Sequence, residues 1–242
     1  MDGNGDGGGV RQGRRRQIDA LRRAWLCALP EGKRVLLVDG DAGLRSLDLL
    51  LGITEMLAYD LGDVVQGRCS PQEAVYPTSL PRLFLLPAQQ GRPFAPRVMR
   101  AVIDSLSAQF DHVLIDGPAG LGAGFFSVCA PADRAILAAT ADSVSVRAAS
   151  AVRRTLDEYH LECRLVLTRF REEVFRRAGS FADLDEIIDR VGAQLLGIVP
   201  EDDLVAVRAA NGKPLSEKGA AASAFRRISQ RMEGQTVPLS VC

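Results

Sequence analysis

Two aspartates that close apolar runs are the residues of this sequence best placed to do chemistry. "LLVDGDAGLRSLDLLLG" closes one run on Asp39, with Asp41 two residues on and Gly43, Arg45 and Asp48 behind it. "VLIDGPAGLGAG" closes another on Asp116, followed by Gly117, Pro118, Ala119 and Gly120. A carboxylate at a strand end, beside a loop of small residues open enough for a phosphate, is what a hydrated magnesium ion needs. Either aspartate alone is equally well explained as the cap of a turn or of the next helix. The two together point to a metal and a phosphorylated ligand.

Such a site has to be held by the carboxyl ends of parallel strands, and the rest of the chain reads as that scaffold. "RVLLVD" (Arg34 to Asp39), "LFLLPA" (Leu83 to Ala88), "HVLIDGP" (His112 to Pro118), "RAILAAT" (Arg134 to Thr140), "CRLVLTR" (Cys163 to Arg169) and "LLGIVP" (Leu195 to Pro200) are short apolar runs. Near-continuous hydrophobicity marks strands buried on both faces. Helical patterns lie between and after them, over Pro96 to Phe110, Ser143 to Tyr159, Phe181 to Val191, Asp202 to Ala210 and Ala220 to Glu233. Strands alternating with helices imply right-handed crossovers. The fold class is therefore α/β, a doubly wound, mainly parallel sheet with helices on both faces.

Bulk properties narrow the partners. The chain has 242 residues, of which 47% are hydrophobic and 25% charged, as in a soluble globular domain. Thirty basic and thirty acidic residues cancel, so no nucleic-acid partner is expected from global charge. The basic excess is local, between Arg11 and Arg23. Cys27, Cys69, Cys129, Cys163 and Cys242 are odd in number and widely spaced. That pattern suits buried, inert thiols in a reducing cytosol better than disulfides or zinc. No apolar run approaches the roughly 18 residues of a membrane span.

"VDGDAGLRSLDLLLG", "DLGDVVQG", "LFLLPA", "FDHVLIDGPAG", "VLTR", "GIVPED" and "RAANGKPL" together resemble the MinD branch of the MinD/ParA deviant Walker ATPases, which place the bacterial division septum. The resemblance runs from Lys33 to about Leu239. It implies a phosphate-loop NTPase fold and an ATP- and Mg²⁺-dependent switch. It places Asp41 as the switch carboxylate that orders the attacking water and the magnesium shell. Asp116 takes the place of the Walker B carboxylate on the metal, with Gly117 beside it. Thr168 and Arg169 fall where the family contacts adenine, and Pro200, Glu201 and Asp202 where a loop closes over the base. The implied partners are a second copy of the chain when ATP is bound, and a cell-division inhibitor or a topological-specificity protein. The implied location is cytoplasmic, with the inner face of the plasma membrane as a peripheral station.

The family's phosphate loop, of the form KGGxGKT, is not readable. Its backbone N–H groups would cradle the phosphates, its last lysine neutralise them and its hydroxyl bind Mg²⁺. Residues 1–30 form an Arg-rich leader in which no lysine precedes Lys33. Permitted codons for "VRQGRRRQID" and Ala20, read one base later, translate as SGKGGVGKST. The same shift turns "DGGGV" into MVVVS, a start and a valine strand leading into the loop, and lets "LRRAWLC" yield CAGLGCA. Read at face value, the tract is a solvated basic tail or a nucleic-acid contact, with an apolar face (Ile18, Leu21, Trp25, Ala28) over Gln17 to Leu29. The expected division is thus an aberrant leader over 1–30, in place of the first strand, loop and helix, and an ATPase domain over 31–242.

The other end departs from the family as well. Phe225, Ile228 and Met232 alternate with arginines but sit where the last core-packing helix belongs, and "VPLSVC" follows. A membrane-surface helix needs a sustained apolar face opposite basic residues, so membrane contact is not expected from this stretch. The leading expectation is a MinD-like switch. Its alternatives are a non-hydrolysing pseudo-ATPase adaptor and a flagellar-number or ParA-like relative.

Overall fold

The apolar runs become strands in the computed structural model, which describes residues 32–211 and 219–239. The Arg-rich leader, the shifted phosphate loop, the helix over Gln17 to Leu29, Cys27, Cys242 and "GKPL" lie outside the described residues. β1 (Val35–Asp39), β3 (Leu83–Leu86) and β4 (His112–Asp116) pair in parallel with β1 in the middle. A two-residue antiparallel edge, β2 (Tyr76–Pro77), lies outside β3. β5 (Arg134–Ala139), β6 (Glu162–Phe170) and β7 (Gln194–Pro200) form a second parallel group. The order is β2-β3-β1-β4 in one sheet and β5-β6-β7 in the other. The α/β, mainly parallel architecture is as expected, but among the described residues the sheet is split between β4 and β5.

Strand alternation decides which face each side chain serves. In β1, Leu36 and Val38 face a core shared with α2 (Leu61–Val65), α3 (Pro96–Ser107) and Val128 of α4 (Ala123–Cys129). Val35 and Leu37 face the other way, onto Leu47 and Leu51 of α1 (Leu47–Leu51). In β6, Leu165 and Leu167 pack on α5 (Ser143–Glu158), on Ile187 and Val191 of α7 (Leu184–Val191), and on Phe125 and Cys129 of α4. Between α5 and α7 lie β6 and α6 (Glu172–Ala178), whose residues are all at least partly exposed. Val166, with Leu196 and Val199 of β7, turns to the opposite face. There it meets Ala221, Ala224, Phe225 and Ile228 of α9 (Ala220–Met232) and Val205 of α8 (Asp203–Ala210). Helices thus cover both faces of both groups.

α4 reaches across the split, giving Val128 to the core of the first sheet and Phe125 and Cys129 to that of the second. On the other face, Glu233 at the end of α9 lies 2.7 Å from His112 Nε2 at the start of β4. Two elements on opposite faces therefore tie the halves together.

Candidate site at the strand ends

Asp39 and Asp116 are register partners on the neighbouring strands β1 and β4, so the two motifs meet at one edge. The backbones approach closely there: Gly40 N–H donates to Asp116 O at 2.9 Å. A Cβ on Gly40 would stand 2.5 Å from both Asp116 O and Val128 Cγ1, which is why a glycine must follow Asp39. Gly117 is similarly confined, a Cβ there meeting Val128 Cγ2 at 3.1 Å.

The three carboxylates have different surroundings. Asp39 is fully buried. Its Oδ1 accepts from Asp41 N at 3.1 Å, and its Oδ2 from Ser46 N and Leu47 N at 3.0 and 3.1 Å. Asp39 therefore folds the 40–47 loop around itself. Asp41 is half-buried on that loop, its Oδ1 accepting from Gly43 N at 3.1 Å and its carbonyl from Leu44 N and Arg45 N. This is the local turn an Asp makes with its own backbone. Asp116 is buried, 6% exposed, at the end of β4. Arg45 clamps the loop from below, 3.5 Å from Asp48 Oδ2 and 3.4 Å from Asp60 Oδ2. Asp60 in turn caps α2 through a reciprocal box with Asp63.

The second expected cluster gathers at the ends of β6 and β7. Thr168 is buried, its hydroxyl donating to Ala139 O at 3.4 Å. Arg169 adopts a left-handed φ of 53° and places Nε and Nη2 3.2 and 3.1 Å from Glu201 Oε1. Pro200 pairs with Phe170 at the end of β7, and Glu201 N donates to Phe170 O at 3.0 Å. Asp202 Oδ1 accepts from Leu204 N at 3.0 Å, opening α8. Arg171 also reaches Glu201, at 3.7 Å. Arg169, Pro200, Glu201 and Asp202 thus gather at the ends of β6 and β7, with Thr168 preceding Arg169 in β6.

Reading by motif underrated Asp39, whose buried carboxylate shapes the loop, and passed over Arg171. The glycine after Asp39 was the available signal, since only a strand end in close backbone contact demands it. Among the described residues, no group of three or more His, Cys, Asp or Glu is placed to hold a metal by itself. A cation here must take much of its shell from water and phosphate, which is the habit of Mg²⁺, and the hard carboxylate oxygens of Asp41 and Asp116 fit it.

Comparison with known proteins gives the family. No protein-family model matches the chain. Septum site-determining protein MinD of Bacillus subtilis is 38% identical over 219 residues, covering 87% of this chain and 81% of that protein. Among solved structures, MinD in the MinC:MinD cell division complex of Aquifex aeolicus superposes with a TM-score of 0.82 at 29% identity, covering 96% and 95% of the two chains. MinD of Pyrococcus horikoshii, complexed with Mg-ADP, gives a TM-score of 0.78 at 25% identity, covering 93% and 92%. With that identity spread over most of both chains, this chain belongs to the MinD family of septum site-determining proteins.

Proposed function

We propose that the chain is the MinD-type switch of septum placement and that its nucleotide binds across the two strand-end clusters. The observation that carries this reading is the register of Asp39 with Asp116, which brings the switch loop and the Asp116 strand end side by side. Asp116 would hold the Mg²⁺ of Mg-ATP, and Asp41 would order its water shell and the attacking water. Such hydrolysis is mostly positioning plus electrostatic stabilisation. Bound Mg²⁺ would supply neutralisation of the phosphate charge. Thr168 and Arg169, with Pro200 to Asp202, would receive the adenine. Glu201 engages Arg169 already, so base binding would displace or share that pair.

The Mg-ADP complex of the Pyrococcus relative and the MinC complex of the Aquifex relative support the choice of nucleotide and of partner. The reading includes an ATP-bound homodimer, a division inhibitor of the MinC kind and a cytoplasmic protein. Among the described residues no helix is long and apolar enough to cross a membrane. We further propose that residues 1–30 are an out-of-frame reading of the first strand, phosphate loop and first helix.

The test is a version carrying MVVVSGKGGVGKST and a small-residue helix ahead of Gly32. It should hydrolyse ATP with magnesium, and Asp116→Asn in it should cut turnover by about 100-fold or more without altering its circular dichroism. The present chain, with no phosphate-loop lysine, should show no ATP-driven dimerisation by light scattering. A frame-restored protein inert toward Mg-ATP, or one indifferent to Asp116→Asn, defeats the proposal.

A further inference from the structure

Tyr76 spends its whole phenol on a stretch of chain that is otherwise mostly exposed. Its oxygen accepts from Ala58 N at 2.9 Å and from Tyr59 N at 2.6 Å, and its hydroxyl donates to Tyr59 O at 3.1 Å. A phenol has one proton to give, and here its oxygen accepts twice as well. The ring itself is anchored on the sheet. Tyr76 lies in β2 opposite Leu85 of β3 and packs, with Leu57 and Leu80, against the core that Val35 and Leu37 share with α1. Residues 54–56, 58 and 59 are exposed, so the hydroxyl ties a surface segment to a fixed post.

That segment runs into Asp60, whose carboxylate works in two directions. Oδ1 accepts from Gly62 N and Asp63 N at 2.7 and 3.2 Å and so opens α2. Oδ2 faces Arg45 Nη1 at 3.4 Å, with 21% of each side chain exposed, so the bridge is screened less than a surface pair. Arg45 has a left-handed φ of 33°, which a residue with a Cβ rarely adopts unless its surroundings hold it. Its N–H, like that of Leu44, donates to Asp41 O at 3.1 Å. The side chain gripped by Asp48 and Asp60 thus belongs to the turn that carries Asp41. Contacts run from the phenol to that turn with one peptide link between them, from Tyr59 to Asp60.

We propose that Tyr76 is a positioning residue for the switch: its hydroxyl sets residues 58–60, Asp60 sets Arg45, and Arg45 sets the turn that aims Asp41. Its consequence for hydrolysis rests on the role proposed above for Asp41. Its test reads the loop without nucleotide, so it can fail while the ATPase reading stands, and the reverse.

The experiment uses amide exchange in the full chain. Tyr76→Phe keeps the ring and removes the hydroxyl. Exchange should quicken about tenfold at Ala58 and Tyr59, which lose their acceptor. It should quicken about threefold or more at Gly43, Leu44 and Arg45, and stay unchanged at Leu36 to Val38 of β1. Asp60→Ser keeps a side chain able to cap α2 but too short to reach Arg45. It should loosen Gly43 to Arg45 and leave Ala58 and Tyr59 as they are. In that background Tyr76→Phe should still loosen Ala58 and Tyr59 but no longer move Gly43 to Arg45. Unchanged exchange at Gly43 to Arg45 in Tyr76→Phe overturns the proposal. So does an undiminished effect there in the Asp60→Ser background, or a rise that extends to β1 and marks a general loss of stability.

Discussion

At the residue scale, the neighbouring aspartates Asp39 and Asp41 divide shape from chemistry. Asp39 spends both oxygens on three backbone N–H groups in a fully buried position. Asp39→Ala strands those donors and should cost roughly 3 kcal/mol, read as a lower urea midpoint. Among the described residues the Asp41 carboxylate accepts only from Gly43 N of its own turn, and Asp41→Asn keeps that acceptor, so its midpoint should move by less than about 0.5 kcal/mol. Equal losses would contradict this assignment. Motif reading found both residues but could not rank them, because burial and partners are properties of the folded loop. Thiol chemistry was more legible: widely spaced cysteines suggested inert thiols, and burial raises Cys129 and Cys163 from 9.0 to about 11. At pH 8 their thiolate fractions fall about 100-fold against the unfolded chain, and native alkylation by iodoacetamide should slow at least that much. Because the folded values lie above the unfolded one, the stabilisation is complete below pH 9 and is lost as pH rises toward 11. Alkylation at the unfolded rate would mean that these thiols are not enclosed.

At the element scale, the long periodic segments were readable and the short ones were not. β1, β5, β6 and β7 match their apolar runs to within one residue at each end, as do α5, α8 and α9. α1, α2, α4 and α6, of five to seven residues, span too few turns to show a period and owe their helicity to caps and tertiary packing. β2 was missed because two residues carry no alternation, and Pro77 argues against a strand. The last helix tests the reading most sharply. Its Phe225 and Ile228 are each 2% exposed, on Val166, Leu196 and Val199, so they serve the core, as the sequence suggested. A Cβ on Gly197 would run into Ile228, so the helix lies directly on β7. Phe225→Ala should therefore cost about 3–5 kcal/mol and leave sedimentation with anionic vesicles unchanged. A variant that keeps its stability but loses vesicle binding would make α9 a membrane element.

At the scale of the whole molecule, the split sheet sets how the protein unfolds. Each half has a core on both of its faces: Leu36, Val38, Met99 and Leu106 with Val35, Leu37 and Leu47 in one, Leu165, Leu167 and Ile187 with Val166, Phe225 and Ile228 in the other. Among the described residues the halves share no strand ladder. Among the described residues they are joined by α4, seven residues long, and by the contact of His112 with Glu233, a partly exposed pair of the kind that contributes about 0–1 kcal/mol. Two complete cores with so narrow a connection should not melt as one cooperative unit. In guanidinium, amide exchange resolved by segment should place the openings of β1–β3 and β6–β7 at different free energies, separated by about 1 kcal/mol or more. This could not be foreseen from the apolar runs, which show which strands exist but not which of them meet. A single coincident transition would show that the halves are coupled more tightly than these contacts imply.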